Sequence, residues 1–371
     1  MHIPFVDLKS QYLSLKREFD EAILKVVSET AFIGGKYAKA FEEAFAGYLG
    51  ANHCVAVANG TDALEIGLKA IGVQAGDEVL VPANTFFATA EAVGNVGATP
   101  VFIDIEPRFY NIDPAKIEEK ITPRTKAIVP VHLYGLPAEI GEIMRIARER
   151  NLKVLEDCAQ AHGATYKGKT VGTFGDVATF SFYPSKNLGA FGDAGAIVTN
   201  DAATAEKARL IANHGQIAKN RHAFEGRNSR LDGIQAAVLS VKLPHLESWL
   251  EARRRNAALY NEMLADTGLP LPLAPEDSRH TYHLYVVQVP NREAVQQKLL
   301  DDGIETGLHY PTALPFLEAY AERGFEPMDF PVAHEQMSKI LSLPMYAELT
   351  PEMIEKVCRS LKSAIAFSAA K

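Results

Sequence analysis

Two side chains suggest a chemistry before any fold is considered. Lys186 stands in Phe180-Ser181-Phe182-Tyr183-Pro184-Ser185-Lys186-Asn187-Leu188-Gly189, and Asp157 in Glu156-Asp157-Cys158-Ala159-Gln160. An amine and a carboxylate, each at the end of an apolar strand-like run, are what pyridoxal 5′-phosphate (PLP) chemistry needs. The amine joins the cofactor's aldehyde as a Schiff base. The carboxylate keeps the pyridine nitrogen protonated, so the ring can absorb electrons. Aromatics precede Lys186, and Gly189 and Gly192 follow it. A tight, partly dry setting of that kind lowers a lysine's pKa and makes it nucleophilic. Taken singly, each residue has an ordinary reading too: a solvated loop lysine, and a helix cap or surface ion pair.

Other segments fit the same cofactor. Asn59-Gly60-Thr61-Asp62-Ala63-Leu64 follows an apolar run and opens a helix. Free amides and the positive helix end there favour a phosphate, and the Thr61 hydroxyl can add a bond. Thr61 and Asp62 would serve equally as simple caps. Ser181, at a later strand end, is a second phosphate contact or only a strand-end serine. Phe86, after Pro82-Ala83-Asn84-Thr85, could stack on a planar ring or fill the core under a loop. Gln160 could bond the cofactor's phenolic oxygen, and His162 reads as a satisfied core histidine. The order along the chain is phosphate loop, aromatic, Asp, Ser, Lys, which is more specific than any one member.

The elements that must position these groups are also legible. Apolar runs of strand length cover His53–Ala58, Glu78–Pro82, Thr99–Ile105, Ala127–Leu133, Lys153–Asp157, Ala178–Phe182 and Ala196–Thr199. Amphipathic stretches such as Ala138–Arg150 lie between several of them. The alternation predicts an α/β domain over 14–245, with a mostly parallel seven-stranded sheet flanked by helices. Asp157 then falls at the carboxyl edge of the sheet, where ligands of such folds bind. After Leu243-Pro244 the pattern changes to a long helix at Leu246–Ala265 and a Pro-rich stretch from Pro270 to Pro275. A strand at Leu284–Val289, a helix at Arg292–Asp302, a strand at Glu305–His309 and a helix at Pro351–Ala364 follow. Residues 1–13 and 246–371 thus form a small α+β domain.

The chain has 371 residues and a formal net charge of −8, which argues against a nucleic-acid or anionic-membrane surface. Its three cysteines, Cys54, Cys158 and Cys358, are widely spaced and match no metal-ligand pattern. They fit reduced, buried thiols in a cytoplasmic protein. We find neither a signal peptide nor an apolar run near membrane-span length.

Taken together, the chain resembles the sugar-nucleotide aminotransferases of the DegT/StrS type, within the fold-type I PLP enzymes. The resemblance runs from Phe5-Val6-Asp7-Leu8 through Asn59–Leu64, Glu156–Ala164, Ser181–Gly189 and Asn228-Ser229-Arg230-Leu231-Asp232 to His309-Tyr310-Pro311. It implies that Lys186 is the Schiff-base lysine and general acid/base, with Asp157 on the pyridine nitrogen. Gln160 would bond the phenolic oxygen and Phe86 would stack on the ring. Thr61 and Ser181, with the backbone of Gly60 and Asp62, would hold the phosphate. Asn228 would reach that phosphate from a neighbouring subunit, so a homodimer with shared sites is implied. His309 and Tyr310 would lie near the sugar. Two positions depart from the pattern. Many relatives follow His-Tyr-Pro with a Pro-Leu-His-Leu type run, where this chain has Thr312-Ala313-Leu314-Pro315-Phe316. Gly233 replaces a more usual Glu or Ser, a change expected to concern helix packing.

The implied reaction moves an amino group from L-glutamate to the ketone of a nucleotide-linked sugar. Lys186, displaced from the cofactor, carries the proton in both halves. Resemblance in Asn213–Asp232 leans towards a 3-keto hexose on dTDP or UDP; a 4-keto sugar nucleotide or a keto-inositol is the alternative. Lys219, Arg221 and His222 could meet the substrate diphosphate or form a solvated loop. A PLP-dependent sugar dehydratase of this fold would carry a non-lysine residue, typically His, at position 186. A non-catalytic regulatory protein would have no reason to keep Lys186, Asp157 and the phosphate loop together. A cysteine desulfurase would need a mobile reactive Cys, and Cys358 sits in the last helix pattern.

Overall fold

The computed structural model describes residues 1–369, with side chains through 367. Each of the seven predicted runs contributes a strand to one sheet: β1 (His53–Val57), β2 (Glu78–Pro82), β3 (Thr99–Ile103), β4 (Thr125–Ile128), β5 (Lys153–Asp157), β6 (Val177–Ser181) and β7 (Gly195–Thr199), although β4 starts and ends earlier than the predicted Ala127–Leu133 and shares only Ala127 and Ile128 with it. Their spatial order is β1-β7-β6-β5-β4-β2-β3. Neighbours are parallel except around β7, which is antiparallel to both β1 and β6.

Alternation along the strands fills two core layers, because successive side chains point to opposite faces. Val79, Val81, Leu155 and Ile197 face one layer with Leu64 and Leu68 of α1 (Gly60–Ala70). Leu80, Val154, Ala178 and Val198 face the other with Phe41 and Phe45 of the helix Gly35–Leu49. The helix Ile140–Glu149 closes that second face through Ile143 and Ile146. Both faces are covered, which is why these strands read as continuous apolar runs. α1 and α2 (Ala88–Asn95) each follow a strand and so start at the carboxyl edge of the sheet.

The C-terminal part contains the long helix Leu246–Leu264 and a two-stranded antiparallel pair, β8 (Tyr285–Gln288) with β9 (Ile340–Leu343). The predicted strand at Glu305–His309 does not form. That stretch makes one isolated bridge, Gly307 to Ser342, and a second, Ile3 to Ile304, falls just before it. β8 pairs instead with Ile340–Leu343, a strand the sequence reading did not predict, whose four residues are all buried. Gly307 is needed for space, since a Cβ there would stand 2.7 Å from His309 Cε1. Residues 313–337 fold back onto the large sheet: Leu314 N–H donates to Ala83 O at 2.8 Å, and Asp104 Oδ1 accepts from Ala333 N–H at 2.9 Å. At the second departure from the family pattern, a Cβ on Gly233 would lie 2.0 Å from Ala31 O, so the absence of a side chain lets this helix start pack close. No helix among the described residues is long and apolar enough to cross a membrane.

Candidate active site

A cleft of about 820 Å³ lies over the carboxyl edge of the sheet and collects most of the predicted residues. Gly60, Thr61, Asp62, Phe86, Asp157, Gln160, Ser181, Lys186, His309 and Tyr310 all line it. Asn228, Lys219, Arg221 and His222 do not. Asn228 lies in a bridge with Asn213, and Arg221 and His222 form an exposed hairpin strand.

The first turn of α1 is capped by Asn59, not by Thr61 or Asp62: its side chain accepts from Asp62 N–H at 2.8 Å. The capping reading of those two residues is therefore corrected. The amides of Gly60 and Thr61, at the very start of the helix, have no intrahelical acceptor. Gly60 is required by space, because a Cβ would come within 2.7 Å of Ser181 Cβ. The missing side chain lets Ser181 lie against the open helix end.

Asp157 ends β5 and is buried. Its two oxygens accept from Ala159 N–H at 3.1 Å and from the Thr89 hydroxyl of α2 at 2.9 Å. Burial pushes its pKa up, while these bonds and the nearby Lys186 amine oppose the rise. Lys186 sits in a tight turn after β6, closed by Lys186 N–H to Tyr183 O and Ala190 N–H to Phe182 O, both 2.8 Å. Gly189 permits that turn, since a Cβ would stand 2.3 Å from Pro184 O. Burial lowers the Lys186 amine to about 8, with the Asp157 carboxylate pulling the other way.

Gln160 connects the sheet edge to the C-terminal part. Its Oε1 accepts from Tyr134 N–H at 2.6 Å, and its Nε2 donates to the Tyr310 hydroxyl at 3.0 Å. Phe86 is 56% exposed and leaves a ring face open to the cleft, with the Tyr310 ring 5.8 Å away between centroids. His309 Nδ1 pairs with Ser342 Oγ at 2.8 Å, and burial lowers its pKa to about 4. Burial raises the Tyr310 hydroxyl well above its ordinary value, so both groups are neutral near pH 7.

Several lining residues escaped the sequence reading, among them Thr89, His283, Arg227 and Glu65. Thr89 carried no signal beyond its helix. His283 heads the apolar run at Leu284–Val289, and Arg227 directly precedes Asn228. His162 needs correction. It is a core residue against Phe180 and Phe182, yet neither ring nitrogen has a hydrogen-bond partner. Burial lowers its pKa to about 3, so it stays neutral and buried rather than satisfied. The buried group His132, Glu156 and Cys158 has metal-ligating side chains. Its polar atoms are already engaged: Glu156 accepts from Gly172, Phe174 and Gly175 N–H, and His132 Nδ1 accepts from Ala138 N–H.

These groups fit PLP. An open helix turn crowded by Ser181 suits a phosphate, an exposed aromatic face suits a flat ring, and a buried amine and carboxylate share the same space.

Comparison with known proteins agrees with this geometry. Residues 13–362 match the DegT/DnrJ/EryC1/StrS aminotransferase family. The chain is 45% identical to the "pleiotropic regulatory protein" of Geobacillus stearothermophilus, over 97% of this chain and 98% of that one. It is also 45% identical to the UDP-N-acetyl-3-dehydro-α-D-glucosamine 3-aminotransferase of Acidithiobacillus ferrooxidans, over 97% of each chain. Other relatives are named as transaminases of dTDP-linked 3-amino sugars. The crystal structure of S. venezuelae DesV superposes with a TM-score of 0.95 at 40% identity, covering 98% of both chains.

Proposed function

The chain belongs to the DegT/DnrJ/EryC1/StrS aminotransferase family, and on that premise we propose that it is a PLP-dependent aminotransferase acting on a nucleotide-linked keto sugar. Its donor is L-glutamate and its acceptor a 3-keto hexose on UDP or dTDP. The observation that carries the reading is the Lys186 amine and Asp157 carboxylate in one cleft with the open first turn of α1.

When bound, PLP supplies an aldehyde for an amine and a ring that absorbs the electrons released at the donor carbon. The chain's own residues do the rest. Lys186, with its amine lowered to about 8, exchanges readily between base and acid near neutral pH and moves the proton in both halves. Asp157, held by Thr89 and Ala159, is a fixed carboxylate that would pair with the ring nitrogen. Thr61, Ser181 and the first-turn amides would hold the phosphate. Gln160 positions the Tyr310 hydroxyl, and the neutral His309 and Tyr310 meet the sugar from the opposite wall.

The names of the relatives support amination at C3. A 4-keto sugar nucleotide or a keto-inositol is the alternative acceptor. The name of the G. stearothermophilus relative motivates a regulatory reading. A buried amine facing a carboxylate inside a cleft favours catalysis. Asn228 does not line the cleft of its own chain; the family resemblance assigns it to the cofactor of a second subunit, in a cytoplasmic homodimer. Lys219, Arg221 and His222 would then meet the diphosphate of the substrate.

Absorbance of the PLP-loaded protein tests this. L-glutamate should shift the visible band, and a 3-keto UDP- or dTDP-hexose should restore it faster than 4-keto sugars or keto-inositol. A bound cofactor that ignores glutamate would favour the regulatory reading. Mixing Lys186→Ala with Asn228→Ala subunits should regenerate one intact site per hybrid dimer, and a fully active monomer in sedimentation would defeat the shared site.

A further inference from the structure

The wall of the cleft along α1 carries two carboxylates next to the turn that is to hold an anion. Asp62 and Glu65 both line the cleft, with side chains only 10% and 12% exposed. Both belong to the first two turns of the helix whose open amides face the same space. Partly buried charges interact strongly over such distances, so two uncompensated carboxylates would oppose a phosphate dianion there.

Arg227 removes that conflict. Its Nη2 lies 2.7 Å from Asp62 Oδ1, and its Nη1 donates to Glu65 Oε2. The other Glu65 oxygen accepts from Asn95 Nδ2 at 2.9 Å. The backbone of Arg227 is pinned on both sides: its N–H donates to Ile211 O at 2.8 Å, and its carbonyl accepts from His214 N–H at 2.9 Å. Two residues on, Ser229 Oγ accepts from Ala58 N–H at 3.1 Å, immediately before the Asn59 cap. Isolated surface ion pairs contribute little. Here one guanidinium fork spans two carboxylates on the cleft wall, and it is the sole arginine among the described residues that line the cleft.

We infer that Arg227 is a charge-compensating positioning residue for the cofactor's phosphate. It neutralises Asp62 and Glu65, turns both carboxylates towards itself, and leaves the first turn of α1 free to attract the dianion. The inference rests on the reading that PLP binds with its phosphate at that turn.

The test compares two probes on the cofactor-free full-length chain: PLP, and pyridoxal, which lacks the phosphate. Dissociation constants come from quenching of protein fluorescence. Wild type should prefer PLP strongly. Arg227→Gln should cut that preference roughly tenfold, with pyridoxal affinity unchanged. Arg227→Lys should keep most of it, and Arg227→Gln combined with Glu65→Gln should restore it. An unchanged preference in Arg227→Gln overturns the inference, and so does an equal loss for both probes, which would mark a purely structural role. A wild-type protein with no preference for PLP would instead overturn the placement of the phosphate at α1 itself.

Discussion

Lys242 is buried and Lys186 half-buried, and desolvation lowers both amines to about 8. Their surroundings differ. Lys186 opens into the cleft, with the Asp157 carboxylate as the group that opposes its shift. Lys242 ends the helix Gly233–Lys242, with its Nζ 4.9 Å from the Phe191 ring centroid and 5.8 Å from that of Phe19. Aromatic faces hold an ammonium there without offering space for a reactant. A lowered amine pKa therefore reports burial. Lys242 even has a carboxylate, Glu348, that opposes its shift as Asp157 does for Lys186; what chemistry needs in addition is a cavity, and of the two only Lys186 lines the cleft.

The largest effect should come from Lys186→Ala. Turnover should fall by more than about 10³-fold in an assay of 2-oxoglutarate release, while PLP still binds through the α1 turn. Asp157→Asn should cost roughly 10²-fold, because a neutral amide cannot hold a proton on the ring nitrogen; thermal unfolding should show the fold retained. Near wild-type rates would reduce Asp157 to a structural carboxylate. Tyr310→Phe should slow the sugar half-reaction roughly tenfold and spare the glutamate half, when the two are followed separately by absorbance. Equal loss in both halves would give Tyr310 a structural role. Lys242→Met should change turnover by no more than about twofold. A large loss there would break the distinction between the two lysines.

The pH dependence sharpens the same contrast. The Lys186 amine is lowered from its ordinary 10.5 to about 8, so its neutral, reactive form grows as pH rises through about 8. Acylation of Lys186 should follow that curve. Asp157 favours the ammonium, so Asp157→Asn should move the midpoint lower still.

What the sequence revealed followed from locality. Lys186, Asp157, Ser181 and Thr61 each sit within a few residues of a strand end, and burial of both sheet faces made those strands visible as apolar runs. The hydrogen bonds that aim them were not visible. Thr89 reaches Asp157 from α2, and Gln160 reaches Tyr310 across 150 residues of chain. Ile340–Leu343 was missed because a four-residue run between a helix and a proline gives no local sign of the partner, β8, that makes it a strand. His162 misled because a histidine flanked by alanine and glycine does not reveal that its ring packs against Phe180 and Phe182. The Thr312–Phe316 run departs from the family pattern where Leu314 and Ala313 pack into the core of the large sheet.

Borohydride reduction of the PLP-loaded protein, followed by peptide mass mapping, tests the central claim most directly. Reduction at about pH 8 leaves both lowered amines partly neutral, so reactivity is decided by position. The cofactor mass should appear on the peptide that contains Lys186 and be absent from Lys242. A label on Lys242, or on any lysine outside the cleft, would contradict the account.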